Sequence, residues 1–377
     1  MDIEKKKLLF IIGTRPEAIK QIPILKRFAK DVSRFECIPL ITAQHREMLD
    51  QVLRIFNVKP KYDLDLMKAD QTLSHITVEA LSGIEKIIKK ELPDMIFVQG
   101  DTTSTFVGAL AGFYHKVPVA HVEAGLRTHD KTQPYPEEMN RVLTSHLVDL
   151  HFAPTEEAMN NLLNEAVPSN RIWVTGNSVI DALLSIANRP FHFKNELLSS
   201  MADTNKRFIL VTAHRRENHG EPMKRICYSL IDIVESFPDV EVIYPVHLSP
   251  QVQKVVNEIM HHERIHLIPP LDYEAFIQVM KMSYMILSDS GGVQEEAPSL
   301  GKPVLVLRET TERPEAVTAG TVELVGTSME KIISRTSELL KNKASYDKMS
   351  KAINPYGDGE TSNRIYNLVC EYFENGL

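Results

Sequence analysis

Short β-branched runs alternate with longer stretches of helical period along the whole 377-residue chain, and this rhythm limits the possible folds more than any other feature. Residues 8–12, 37–42, 95–99, 118–122 and 150–153 read as strands, and residues 17–30, 46–56, 73–90 and 103–115 as helices. The same rhythm resumes with strands expected at 208–212, 240–244, 265–268, 285–288 and 304–307. Strands that alternate with helices imply parallel sheets covered by helices on both faces. A polar stretch over 191–206 separates the two runs, so the expected class is α/β with two Rossmann-like, doubly wound domains, 1–180 and 181–361. A last helix over about 362–375 follows the turn-rich Asn354-Pro355-Tyr356-Gly357-Asp358-Gly359, and the segment 362–377 is free to pack on either domain.

Composition removes several function classes. With 43 Lys and Arg against 50 Asp and Glu, the net charge is −7, and no basic surplus exists for sequence-independent binding of nucleic acid or an anionic membrane. Cys37, Cys227 and Cys370 lie far apart, fit neither a disulfide framework nor a C-x-x-C metal site, and suit a reducing compartment. The apolar run near the start ends after five residues at Gly13, too short for a secretory core, and no run approaches the ~18 residues needed to span a bilayer. A cytoplasmic protein is expected.

In open parallel sheets ligands bind beyond the carboxyl ends of the strands, so the residues after each strand are the informative ones. The first strand leads into Gly13-Thr14-Arg15-Pro16-Glu17-Ala18-Ile19-Lys20, the strand at 95–99 into Gly100-Asp101-Thr102-Thr103, and the strand at 118–122 into Glu123-Ala124-Gly125. Later strands end at His214, at His247 and at Asp289-Ser290-Gly291-Gly292. If the two halves face each other, these groups line one cleft. Ser290, Gly291 and Gly292 before a helix would let backbone N–H groups approach a phosphate, although a serine-capped tight turn reads the same way. Glu296 can accept two hydrogen bonds from a ribose diol, and Arg15, Lys20 and Arg313 can supply positive charge to a diphosphate. Asp101, Glu123 and Glu137 are acid/base candidates, with Glu137 in a loop and Asp101 alternatively capping the helix near Thr103. A carboxylate directly after a buried strand, as at Glu123, needs a partner or a role. His214 and His247 can equally be neutral structural histidines. The chain has no G-x-G-x-x-G, Walker A, H-E-x-x-H or G-x-S-x-G motif, and His121-x-Glu123 lacks the P-C-x-x-C of zinc deaminases.

Taken in order, these segments resemble the non-hydrolysing UDP-N-acetylglucosamine 2-epimerases. The resemblance extends through Pro136-Glu137-Glu138-Met139-Asn140-Arg141, Val174-Thr175-Gly176-Asn177, Thr212-Ala213-His214-Arg215-Arg216-Glu217-Asn218, Tyr244-Pro245-Val246-His247 and Thr311-Glu312-Arg313-Pro314-Glu315. It implies a fold like that of GT-B glycosyltransferases, with two Rossmann-like domains facing a central cleft, and a homodimer. It also implies interconversion of UDP-GlcNAc and UDP-ManNAc without a metal or nicotinamide cofactor, feeding a cell-surface polysaccharide. By the family pattern Arg15, Ser290, Gly291, Gly292 and Arg313 hold the diphosphate, Glu296 the ribose, and Phe276 with the backbone at Leu271 the uracil. Lys20, Asp101, Glu123, Glu137 and His214 would surround the reacting sugar. Bacterial members bind a second UDP-GlcNAc as activator at a site that resembles Gln44, His45 and Gln71 here, with His247 as a further candidate. Glu47 stands where many members have Gln, and Asp70 where many have Arg. Carboxylates there would repel a diphosphate, implying weaker or altered activation.

The C2 hydrogen of such a sugar is not adjacent to a carbonyl, so its direct removal at neutral pH is too hard. Expulsion of UDP from C1 lets loss of the C2 proton form a double bond, and UDP can then add back after reprotonation on the other face. The carboxylates suit the proton transfers, and His214 with the cationic residues suits the departing diphosphate. Rival readings are a hydrolysing relative that releases ManNAc and UDP, a glycosyltransferase, and a catalytically silent nucleotide-sugar sensor.

Overall fold

The computed structural model describes residues 5–42, 46–66, 71–202 and 204–375. It divides into two compact units, Met1–Ala182 with Tyr356–Leu377, and Leu183–Pro355. In the first, β1 (Lys6–Ile12), β2 (Phe35–Ile41), β3 (Tyr62–Asp63), β4 (Met95–Gln99), β5 (Val119–Val122), β6 (Leu150–Ala153) and β7 (Ile172–Val174) form one sheet in the order β3-β2-β1-β4-β5-β6-β7. Every pairing in it is parallel. The central strands are apolar on both faces because helices cover both. Leu8 and Phe10 point into a core with Phe28, Phe97 and Phe152, while Leu9 and Ile11 point into another with Ile84, Ile88 and Val107.

In the second unit, β8 (Arg207–Thr212), β9 (Val240–Pro245), β10 (Ile265–Ile268), β11 (Met285–Ser288), β12 (Val304–Val306) and β13 (Val322–Leu324) form an all-parallel sheet ordered β10-β9-β8-β11-β12-β13. In each sheet the strand order reverses once, at β1/β4 and at β8/β11. Connections leave toward opposite sides at such a point, opening a crevice past the strand ends.

The last helix, Thr361–Asn375, packs on the first unit against the helix Arg15–Ala29. Tyr366 donates to Asp31 at 2.7 Å, and the Arg27 guanidinium lies 3.5 Å above the Tyr366 ring. Residues 356–361, expected with the C-terminal domain, join the first unit as well. There the Tyr356 carbonyl accepts from Asn177 N at 2.6 Å, and Thr361 Oγ1 donates to the Thr175 carbonyl at 3.0 Å. The expected break at 180 lies close to the observed one between Ala182 and Leu183, and both fall inside the unbroken helix Val179–Ala187. Strands β3, β7 and β13 are absent from the sequence reading, since two or three residues carry no measurable alternation. Among the described residues no helix is long and apolar enough to cross a membrane.

Candidate active site

At the β1/β4 switch point, a buried carboxylate ties two loops together. Glu17 Oε2 accepts from the backbone N–H groups of Gly13 and Thr14, at 2.8 and 2.5 Å, closing the N-terminus of the first helix. Its Oε1 accepts from Thr102 Oγ1 at 2.6 Å and Thr105 Oγ1 at 3.0 Å, in the loop and helix that follow β4. Burial pushes the Glu17 carboxyl above its usual range, against the lowering effect of these hydrogen bonds. Arg15 opens the helix at one of these loops, and the other carries Asp101.

Glu123 follows β5 in the left-handed region, at φ 64°, a conformation held by its surroundings. Its Oε1 is ion-paired with Lys20 and accepts from Asn177 Nδ2 at 2.9 Å; its Oε2 accepts from Gln99 Nε2 at 2.5 Å. Lys20, expected from the residues alone to be a phosphate-binding charge, therefore sits on a carboxylate.

Asp101 does not cap the following helix; Thr102 does, accepting from Thr105 N. Asp101 Oδ2 instead takes two bonds from Arg141, Nη2 at 2.7 Å and Nε at 3.0 Å, while Asn140 Nδ2 donates to the Asp101 carbonyl at 2.9 Å. Both partners lie on the helix Glu137–Ser145, so Glu137, expected in a loop, is the first residue of a helix anchored to Asp101. Arg141 Nη1 also reaches Glu138 Oε2 at 3.0 Å. Burial raises the Glu138 carboxyl, but the backbone N–H groups of His129 and Thr128 and the Arg141 charge outweigh it and leave it below its usual range.

Beneath these groups, His121 and His151 are register partners on β5 and β6. His121 Nε2 donates to the Gly100 carbonyl at 2.8 Å, and neither histidine's Nδ1 has a hydrogen-bond partner among the described residues. Burial pushes His121 down to about 4 and His151 down to about 3 from the ordinary 6.5. Both imidazoles are protonated in the unfolded chain below that ordinary value, yet stay neutral in the fold until about 4 and 3. The unfolded state thus binds more protons across this window, and stability falls as pH falls through it. We expect the urea midpoint to drop steadily from about pH 7 to about pH 4.5, and His151→Gln to flatten the slope. Parallel slopes for wild type and variant would contradict this.

At the β8/β11 switch point, Asp289 is fully buried; its Oδ2 accepts from the backbone N–H groups of His214 and Arg215, each at 2.8 Å, and from Asn218 Nδ2 at 2.9 Å. The His214 ring is stacked on His247, centroids 5.2 Å apart. Burial lowers the His214 imidazole and the His247 and Arg215 charges add to this, against the pull of Asp289. Ser290 stands at the N-cap position of the helix Gly291–Glu296, but its side chain makes no capping hydrogen bond. A Cβ placed on Gly291 would meet nothing within 4 Å, and one on Gly292 only Ser290 Oγ at 3.9 Å. Packing does not demand glycine at either position; the open space above them suits a ligand approaching the backbone N–H groups. Glu296 is buried and accepts from Tyr273 Oη at 2.7 Å. Tyr273 opens the helix Tyr273–Met282, which Leu271 precedes and on which Phe276 lies. Arg313 is ion-paired with Glu295 and donates to the Glu312 carbonyl at 3.0 Å.

Of the expected activator residues, Gln44, His45 and Asp70 lie outside the described residues. Gln71 Nε2 donates to the Leu66 carbonyl, Glu47 is exposed at the start of the helix Arg46–Ile55, and His247 lies against His214. Residue type and spacing alone assign no role to Gln99, Asn177, Arg141, Asp289 or Tyr273. A polar side chain ending an apolar strand was the available signal for Gln99 and Asp289.

The UDP-N-acetylglucosamine 2-epimerase family profile matches residues 27–370. A UDP-N-acetylglucosamine 2-epimerase of Yersinia pestis is 53% identical over 366 residues, covering 95% of this chain and 97% of that protein. The crystal structure of a candidate UDP-N-acetylglucosamine 2-epimerase from Listeria monocytogenes superposes with a TM-score of 0.93 at 50% identity, covering 98% and 97% of the two chains. A UDP-GlcNAc 2-epimerase from Neisseria meningitidis, crystallised with UDP-GlcNAc, matches at TM-score 0.82 and 47% identity over 97% of this chain and 100% of that one. The glycosyltransferase of kitacinnamycin, at 8% identity and TM-score 0.65 over 98% of this chain and 99% of that one, shares the fold alone and places it in the GT-B-like class.

Proposed function

The chain belongs to the UDP-N-acetylglucosamine 2-epimerase family, and from that premise we propose that it runs the reaction in the non-hydrolysing manner, interconverting UDP-GlcNAc and UDP-ManNAc. Its reaction is epimerisation of the sugar nucleotide at C2. In the proposed course a carboxylate removes the C2 proton as the C1–O bond breaks, and the bonding electrons leave with UDP. A C1–C2 double bond remains. Return of a proton to the opposite face of C2 and re-addition of UDP at C1 complete the inversion. Asp101, Glu123 and Glu137 share the proton transfers. Lys20, Gln99 and Asn177 fix the Glu123 carboxylate, and Arg141 fixes that of Asp101. His214, Arg15, Arg313 and the N–H groups at Ser290, Gly291 and Gly292 hold the diphosphate as charge builds on it, Glu296 holds the ribose, and Phe276 with the Leu271 backbone receives the uracil. The enzyme acts as a homodimer in the cytoplasm, and its product feeds a cell-surface polysaccharide. A second UDP-GlcNAc would act as activator.

The observation that carries this reading is the pair of carboxylates, Asp101 and Glu123, each fixed by cationic or amide donors past strands β4 and β5. Purified protein given UDP-GlcNAc in deuterium oxide, with nothing added, is expected to place deuterium at C2 of both epimers and to release no free ManNAc. Retention of the original hydrogen would exclude proton exchange at C2, and accumulation of ManNAc with UDP would transfer the chain to the hydrolysing branch.

A further inference from the structure

Asp289 is more elaborately held than a loop anchor requires. It follows β11, its backbone N–H donates to the Thr212 carbonyl on β8 at 3.0 Å, and its side chain is fully buried at the switch point of the second sheet. The three donors it binds, from His214, Arg215 and Asn218, all converge on Oδ2. That set alone would suffice to pin the loop after β8. Oδ1, equally buried, has no hydrogen-bond partner among the described residues, and it lies 3.4 Å from Nδ1 of His214. A buried carboxylate oxygen left unpaired is costly, so its placement facing an imidazole nitrogen calls for an explanation. A small rotation of the His214 ring completes the bond, and such contacts often tighten only when substrate arrives. Stacking on His247 leaves the ring free to turn in its own plane while resisting tilt.

The geometry points to Asp289 as the positioning residue for His214: its Oδ1 accepts from Nδ1–H, selects that tautomer, aims Nε2 outward, and stabilises the imidazolium that forms when a diphosphate binds. The inference rests on the reading that His214 meets the diphosphate of a nucleotide sugar. In the free protein the neutral ring carries its proton on Nδ1. When UDP binds, a second proton taken from solvent occupies Nε2, so the ring donates to Asp289 on one side and to a phosphate oxygen on the other. Anionic ligand and buried carboxylate act together, since each favours the charged ring. A cation so placed stabilises the negative charge that grows on UDP as the C1–O bond breaks.

Asp289→Asn separates this role from loop anchoring. Its amide oxygen can still accept from the His214 and Arg215 N–H groups, but its NH2 then faces His214 Nδ1 and forces that nitrogen to be the acceptor. Nitrogen NMR of 15N-histidine-labelled protein, with the His214 signal assigned through its loss in His214→Gln, reads the tautomer directly. Wild type without ligand is expected to show a pyrrole-like Nδ1 and a pyridine-like Nε2; excess UDP should make both pyrrole-like. In Asp289→Asn the free-state pattern should reverse. Its kcat should fall at least ~100-fold while KM for UDP-GlcNAc changes less than about threefold. A wild-type ring already protonated on Nε2, a ring that stays neutral with UDP bound, or a variant with unchanged tautomer and kcat would each overturn the proposal. Should the variant fail to fold, the two wild-type spectra still decide. If wild type shows these spectra yet epimerises no UDP-GlcNAc, the functional reading fails while the role of Asp289 toward His214 stands.

Discussion

Glu123→Gln is expected to lower kcat for epimerisation by about 10²- to 10⁴-fold, the range over which a positioned acid or base contributes. This carboxylate is held by a cation and two amides: Lys20 and Asn177 Nδ2 on one oxygen, Gln99 Nε2 on the other. A glutamine can supply one acceptor oxygen, but its NH2 must face either Gln99 or the Lys20–Asn177 pair, placing donor against donor. The substitution therefore removes the proton acceptor and leaves buried donors unsatisfied, which costs about 1–3 kcal/mol of stability. Turnover in both directions, deuterium uptake at C2 and a urea titration separate the two effects. The chemical role demands that deuterium uptake falls along with kcat, in protein shown to be folded by its denaturation profile. Folded protein retaining more than a tenth of wild-type turnover would remove Glu123 from the proton transfers.

Gly125→Ala is expected to be the most damaging single change to the fold near the site, costing more than about 3 kcal/mol or preventing accumulation of folded protein. Gly125 has φ 91°, which an L side chain rarely adopts, and the room is lacking as well. An added Cβ would fall far inside contact distance of the Ala158 carbonyl oxygen and 3.0 Å from Leu162 Cγ. Both neighbours belong to the helix Glu156–Asn164, whose Asn161 Nδ2 also donates to the Gly125 carbonyl at 3.0 Å. Relief requires the helix to retreat from the turn, and that turn carries Glu123 two residues upstream. Equilibrium urea unfolding measures the loss; a cost below about 1 kcal/mol would mean that the helix moves freely.

The contrast between Gly125 and Gly291 shows what could and could not be read from the chain. Strands and long helices were legible because buried parallel strands are uninterrupted apolar runs and helices repeat every 3.6 residues. The strand-end rule then singled out Asp101, Glu123, His214 and Ser290 from residue type and position alone. Partners were not legible. Arg141 is 40 residues from Asp101, and Asn177 is 54 residues from Glu123; each reaches its carboxylate through the fold. Two glycine-containing turns look alike as letters, yet Gly125 is required by steric crowding, whereas Gly291 faces open space. Asp101 as a helix cap was a sound local expectation that lost to a non-local one, because Thr102 already supplies the cap.

The helix Thr361–Asn375 has a consequence for how the molecule is made. Arg27 bonds to Asn363 across 336 positions of sequence, so the first unit borrows its last piece from the far end of the chain. On a ribosome the stretch Leu183–Pro355 is synthesised in full while the earlier unit still lacks a wall of its core. The later-made unit can mature first, and the earlier one must wait, with Phe28 and Phe35 uncovered, until Thr361–Asn375 has been made.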